Sequence, residues 1–405
     1  MTETAAATPG HRAESPRRAL ITLCATQIVS WGVLFYAFPV LTGRISADTG
    51  WSTAAVTGAF SVGLAVSAAG GVPVGRLLDR HGPRPVMTAG SVLAVAATAA
   101  IAWAPGPVWF LAAWTIAGVA QAAVFYKPAF AALTVWYGDR RVRALTALTL
   151  VAGLSSTIFA PLTATLADHF TWRETYLVLG LILAAVTIPA HAIGLDPPWP
   201  HRKRAHRAAT ATVPEAAPDR NVIRTPAFAL LAAAMALATF ALFTATFFLV
   251  PLLTARGTDT SSAAWALGLC GAGQLLGRLG YGTLTRRTGP TARTVLILAL
   301  GAVMIAATVA LAAPIAVVFA VVIALGAARG AFTLLEATAV SDRWGTTAFG
   351  HRYGIFSAPS TVAIATAPAA GALIADRLGS YPALFALLAA LMLTAAALAA
   401  MPRSR

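Results

Sequence analysis

Runs of about 20 apolar residues recur along the whole chain, and no other feature limits its fold so severely. They lie near 19–42, 52–77, 85–104, 108–136, 142–167 and 174–195, and then, after a polar stretch, near 226–255, 262–284, 294–313, 315–340, 353–375 and 381–401. Each is long enough to cross a hydrocarbon core of ~30 Å as a helix. Lipid offers no partners to backbone N–H and C=O groups, so every span must satisfy its own, and helix is the local structure that does so. Of the 405 residues 58% are hydrophobic and only 11% charged, against roughly a quarter charged in a soluble domain. The expectation is an all-α membrane protein of about twelve transmembrane helices. Glycine and alanine inside the spans fit close helix packing.

Two charged turns interrupt this background at a displacement of 207 positions (282 − 75). The first is Gly75-Arg76-Leu77-Leu78-Asp79-Arg80-His81-Gly82-Pro83-Arg84. The second, Gly282-Thr283-Leu284-Thr285-Arg286-Arg287-Thr288-Gly289, keeps the glycine and arginine spacing but lacks the acid. Ala160-Pro161 and Ala367-Pro368 share the same displacement. The chain therefore reads as an internal duplication, two pseudo-symmetric six-helix bundles. In the first turn Asp79 closes the second helix while Gly82 and Pro83 turn the chain into the third. An acid at a helix end can pair with an arginine or cap a neighbour, so Gly75, Asp79, Arg80, Gly82 and Arg84, echoed by Arg286 and Arg287, read as a conformational latch. The missing acid in the second copy makes the first half's latch the stronger expectation.

The formal net charge of +15 would suit nucleic acid if it formed one patch. Instead arginines cluster at 76, 80 and 84, at 140, 141 and 143, at 286, 287 and 293, and between 202 and 224. Basic clusters at every second loop are the positive-inside signature. Both termini and the central loop are thus expected in the cytoplasm, the protein in the cell membrane, and nucleic acid is not expected as a partner. The sequence divides into a tail (1–18), a first bundle (19–195), a cytoplasmic linker (196–224) and a second bundle (225–405). Cys24 and Cys270 fall inside spans and read as small apolar residues, without a disulfide or metal framework.

Gly75-x-x-x-Asp79-Arg80-x-Gly82-x-Arg84, set in this topology, resembles the signature of the major facilitator superfamily of secondary transporters. A narrower resemblance is to its monocarboxylate-porter-like branch, which includes oxalate/formate antiporter relatives. It rests on Trp136-Tyr137-x-x-Arg140-Arg141-x-x-Ala144 through Gly153 and on Gly277-Arg278. The resemblance implies that Arg278 contacts a substrate carboxylate. It also implies that the first, fourth, seventh and tenth helices line a central cavity. Gln274 stands where that branch often has an acid, a departure from the lactate-type pattern.

Ionisable groups at bilayer depth are costly, ~2.5 kcal/mol or more on insertion scales, so those present usually have a task. Lys127 lies in the fourth span beside Tyr126 and Pro128; Arg278 lies in the eighth, one turn from Gln274; the tenth carries Arg329 and Glu336. Seven residues turn a helix through about 700°, so Arg329 and Glu336 share a face about 10 Å apart. Three cations against one acid leave a positive cavity that suits an anion. Substrate contacts are expected from Lys127, Arg278, Arg329, Tyr126, Gln274 and Tyr36, with Glu336 as proton-coupling group or charge partner. Gln27, Trp31 and Gln121 could add hydrogen bonds or could simply bond neighbouring helices.

The chain has no phosphate-binding Gly-x-x-x-x-Gly-Lys-[Ser/Thr] loop, and its spans hold no catalytic cluster. The expectation is a monomeric secondary active transporter, not an enzyme and without a cofactor. It would move a small, carboxylate-like organic anion by alternating access, driven by a proton or exchange gradient. Two other readings stay open: a proton-coupled drug or metabolite efflux pump, and, from another class, a transporter-like sensor or scaffold.

Overall fold

A computed structural model describes residues 16–199, 220–310, 314–345 and 349–401. Most of the tail, most of the 196–224 linker and the last residues lie outside these. Among the described residues the spans form helices α1 (Arg17–Thr49), α2 (Thr53–His81), α3 (Pro83–Ala102), α4 (Pro107–Tyr137), α5 (Arg143–His169) and α6 (Trp172–Gly194). The second set is α7 (Pro226–Phe247), α8 (Thr260–Arg287), α9 (Pro290–Ala310), α10 (Ile315–Thr338), α11 (Phe349–Leu378) and α12 (Tyr381–Ala400). Successive helices reverse direction, so the basic turns share one face of the molecule, here the basic face; the opposite one is the far face.

Helix pairing repeats with the sequence. In the first half α1 packs on α5, α2 on α4 and α3 on α6; in the second, α7 packs on α11, α8 on α10 and α9 on α12. Contact between halves follows the same symmetry, α5 against α8 and α2 against α11.

One helix departs from expectation. Eleven spans are long and apolar enough to cross a membrane by composition, and α8 is not among them despite its 28 residues. Glycine, serine, Gln274 and Arg278 dilute it. The glycines serve packing: a Cβ on Gly273 or Gly277 would overlap backbone atoms of Ile323 or Ala327 on α10. A Cβ on Gly326 or Gly330 would likewise overlap Cys270 or Gln274 on α8. In lipid, where apolar contact with tails competes equally, such backbone approach is what joins helices. The helix poorest in apolar residues is thus held by its neighbour.

Toward the far face the halves are closed on each other. Thr157 Oγ1 donates to Gly268 O (2.9 Å), and Ala369 N–H donates to Ser61 Oγ (3.0 Å). Val40 and Ala160 of the first half pack with Leu249, Leu253 and Leu267 of the second. Arg44 pairs with Asp168 there (2.6 Å).

The signature turn adopts the expected geometry: Gly82 has φ 80°, the left-handed region that favours glycine, and Pro83 opens α3. Its charges are not engaged. Asp79, Arg80 and Arg84 are exposed, and Asp79 makes no ion pair among the described residues. Arg286 and Arg287 are exposed too. A basic-face ion pair lies instead in the second half, between buried Arg293 and exposed Asp342.

Candidate functional site

Two helices break where the halves meet, and both breaks trace to proline. Pro128 lacks the N–H that would bond Val124 O one turn earlier. Phe125 goes extended (φ −79°, ψ −165°), dividing α4. The Gln27 amide takes over, donating to Val124 O at 2.6 Å, while its own carbonyl accepts from Trp31 Nε1 at 3.1 Å. On α1, Gly32–Tyr36 form a π turn, and Pro39 lacks the N–H that such a turn would aim at Leu34 O. Gln121 of α4 donates to that carbonyl at 3.0 Å. Irregular backbone at membrane depth survives where protein re-satisfies it or where it lines a cavity. Both conditions hold here, and the two glutamines are helix-stitching groups.

The breaks frame a cavity of about 220 Å³ between α1, α2 and α4 of the first half and α11 of the second. Trp31, Phe35, Phe125, Tyr126 and Lys127 form one wall, with Thr361 and Ile364 opposite. Trp31 stacks on Phe125 (4.1 Å between centroids, 8° between planes) and lies 5.1 Å from Tyr126.

Lys127 is exposed to this space. Its Nζ contacts Ala68 O at 3.3 Å, and it fits because Gly71 has no side chain: a Cβ there would sit 2.7 Å from Nζ. Arg329 is 6% exposed and lies over the Phe243 ring at 4.5 Å; its Nη1 has no hydrogen-bond partner. Phe243 in turn meets Phe35 edge-on at 6.5 Å. The Arg278 guanidinium crosses to the first half and donates to Thr149 O, beside Gly153 where α5 breaks, and its Nε is unpartnered. Arg278 and Arg329 both act electrostatically on the Tyr126 hydroxyl, as does Tyr36. The three cations stand at one depth, nine or ten residues from the basic-face helix ends (127 to 137, 278 to 287, 329 to 338), about 14 Å at 1.5 Å per residue.

The structure thus brings Lys127, Tyr126, Tyr36, Arg278 and Arg329 into one neighbourhood, though only Lys127 and Tyr126 of these line the cavity. Arg329 stands behind Phe243, and Arg278 is occupied by α5. Gln274 is buried at 4% exposure against α10, where its backbone meets Gly330. Glu336 is not paired with Arg329. It is half-buried, its Oε1 without a partner, and its polar neighbours are Ser360 and Tyr353 of α11.

Sequence reasoning did not single out the aromatic wall. Its signals were Pro128 inside a span and the i, i+4 spacing of Gln27 and Trp31 on α1. It also read Arg293 only as topological charge and passed over Asp342.

A family model for the Major Facilitator Superfamily matches residues 23–322. Over 259 residues the chain is 32% identical to monocarboxylate transporter 11 of Homo sapiens, covering 61% of this chain and 51% of that protein. Monocarboxylate transporter 13 of Bos taurus is 26% identical over 276 residues, covering 66% and 60%. The multidrug resistance protein MdtL of Shigella flexneri is 32% identical over 170 residues, covering 38% and 42%. The chain spans about half the length of these relatives.

Proposed function

This chain belongs to the Major Facilitator Superfamily, and on that premise we propose that it carries a small organic anion between its two halves by alternating access. One observation carries this reading. Lys127, Arg278 and Arg329 stand at one depth in the spans, and none of them forms an ion pair among the described residues. A buried cation such as Arg329 is costly without a counterion, and an anion bound at Lys127 supplies the missing negative charge at that depth. Likeness to two monocarboxylate transporters supports the same class. Sealing of the far face by Ser61–Ala369 and Thr157–Gly268 fits a state that admits substrate from the basic face. By the positive-inside rule that face is cytoplasmic. Asp79, free in this state, would then pair when the basic face closes. Glu336, with an unpartnered oxygen beside Ser360, is the proposed proton acceptor.

Purified protein screened by thermal shift against mono- and dicarboxylates, with cationic drugs as controls, tests the class. A carboxylate at 100 times its Kd adds about 2.7 kcal/mol. Lys127→Gln should remove that shift while leaving the unliganded melting curve in place. In vesicles Glu336→Gln should keep binding but lose acceleration by a proton gradient. Stabilisation by cationic drugs and by no carboxylate would favour efflux instead.

A further inference from the structure

We infer that the cavity selects an anion carrying an aromatic ring and a single carboxylate, and that Trp31 is the specificity-determining residue. This rests on the anion reading above and sharpens it.

The three cations are not equally available to a ligand. Of the three, only Lys127 lines the cavity. Arg278 is bonded to Thr149 O and Arg329 is covered by Phe243. One ammonium in direct reach matches one carboxylate. A second carboxylate would meet no cation lining the same space.

Size and surface then define the rest of the ligand. At about 220 Å³ the cavity is below the roughly 300–1,000 Å³ of sites for drug-sized molecules. Its wall is a continuous aromatic shelf, with Trp31 on Phe125, Tyr126 tilted against Trp31, and Phe35 edge-on to Trp31 at 5.4 Å. A lactate-sized anion would leave this shelf facing water. A phenyl or indolyl group would cover it in offset or edge contact.

The shelf is also rigid. Gln27 holds the Trp31 indole N–H and is itself fixed on Val124 O, the carbonyl released by Pro128. The proline that breaks α4 thereby orients the ring surface, while Lys127, next to Tyr126, brings the charge. Adjacent helical residues diverge by about 100°, so ring and ammonium approach a ligand from different directions, as the two ends of an arylacetate require.

The test is equilibrium binding to the purified full chain of phenylacetate, indole-3-acetate, acetate and L-lactate, with phenethylamine and neutral indole alongside. Burial of one ring predicts phenylacetate and indole-3-acetate about 10- to 100-fold tighter than acetate. Trp31→Leu should shrink that ratio to within about 3-fold without weakening acetate, and Trp31→Phe should retain most of it. Acetate or lactate binding as tightly as phenylacetate, or a ratio unmoved in Trp31→Leu, would overturn the ring site and leave the anion reading standing. Binding of phenethylamine or indole with no carboxylate bound would sink both. Binding by no probe at all would reject the arylcarboxylate assignment.

Discussion

On the basic face of the second half, Arg293 is 2% exposed at the start of α9, bonded to Asp342 and set over the Tyr281 ring at 5.4 Å. Arg343 beside it donates to Thr294 Oγ1 (2.6 Å) and Pro290 O (3.0 Å). The same face of the first half is covered differently. Trp199 packs within 3.1 Å of where a Gly82 Cβ would be and meets Trp136 edge-on, Arg18 reaches Asp196 at 3.2 Å, and Asp79 stays exposed. Removing the acid from this pair is not cheap, because Arg293 would be left desolvated and without its counterion. An exposed acid can change partners at little cost. The two halves therefore share a helix plan but differ on this face: the second holds a buried arginine in a bonded network, and the first leaves Asp79 exposed and without an ion pair among the described residues.

The largest expected effect tests that difference directly. Asp342→Ala should cost about 3–5 kcal/mol of stability by stranding the buried Arg293, read from denaturant or thermal unfolding in detergent. Asp79→Asn should leave unfolding unchanged and reduce uptake, at matched expression, far more than Asp168→Asn or Asp376→Asn. If Asp79→Asn destabilises as Asp342→Ala does, the two faces are not different in kind.

A smaller effect separates packing from switching within the glycines. Gly277→Ala places a methyl against Ala327 O and should cost about 1–3 kcal/mol. A Cβ on Gly75 meets nothing within 4 Å, so Gly75→Ala should melt with the parent. Slower transport in that stable variant would place the tight approach of Gly75 in the closed basic-face state; unaltered transport would remove Gly75 from the latch.

The smallest effect concerns the far face. Ser61→Ala deletes the bond from Ala369 N–H, worth about 1 kcal/mol. Labelling of a cysteine introduced at Val250, with Cys24 and Cys270 replaced, should then speed up about 5-fold. An unchanged rate would mean that apolar contact alone holds this face shut.

Much of this was legible in the residues. Apolar run length fixes helices because lipid leaves backbone groups no alternative, and the repeated Gly75 and Gly282 turns announce two equivalent halves. Lys127 and Arg329 stood out because a charge in an apolar run is conspicuous and expensive. The left-handed Gly82 ahead of Pro83 was readable for a local reason, since both residues act on their own backbone. What the sequence could not rank was which charge meets which. Arg278 bonds Thr149 O and Glu336 faces Ser360 because helices far apart in the chain come together at particular depths and rotations. The pairing of Arg293 with Asp342, 49 positions away, depends on where α9 begins relative to the end of α10. The aromatic wall, too, exists only once Pro128 has broken α4 and Gln27 has crossed from α1 to repair it. Chain-local physics, set by lipid and by backbone chemistry, was decided by the sequence itself. The cavity and the partners of its charges were decided by packing between helices, whose contacts are non-local and leave no periodic trace in the chain.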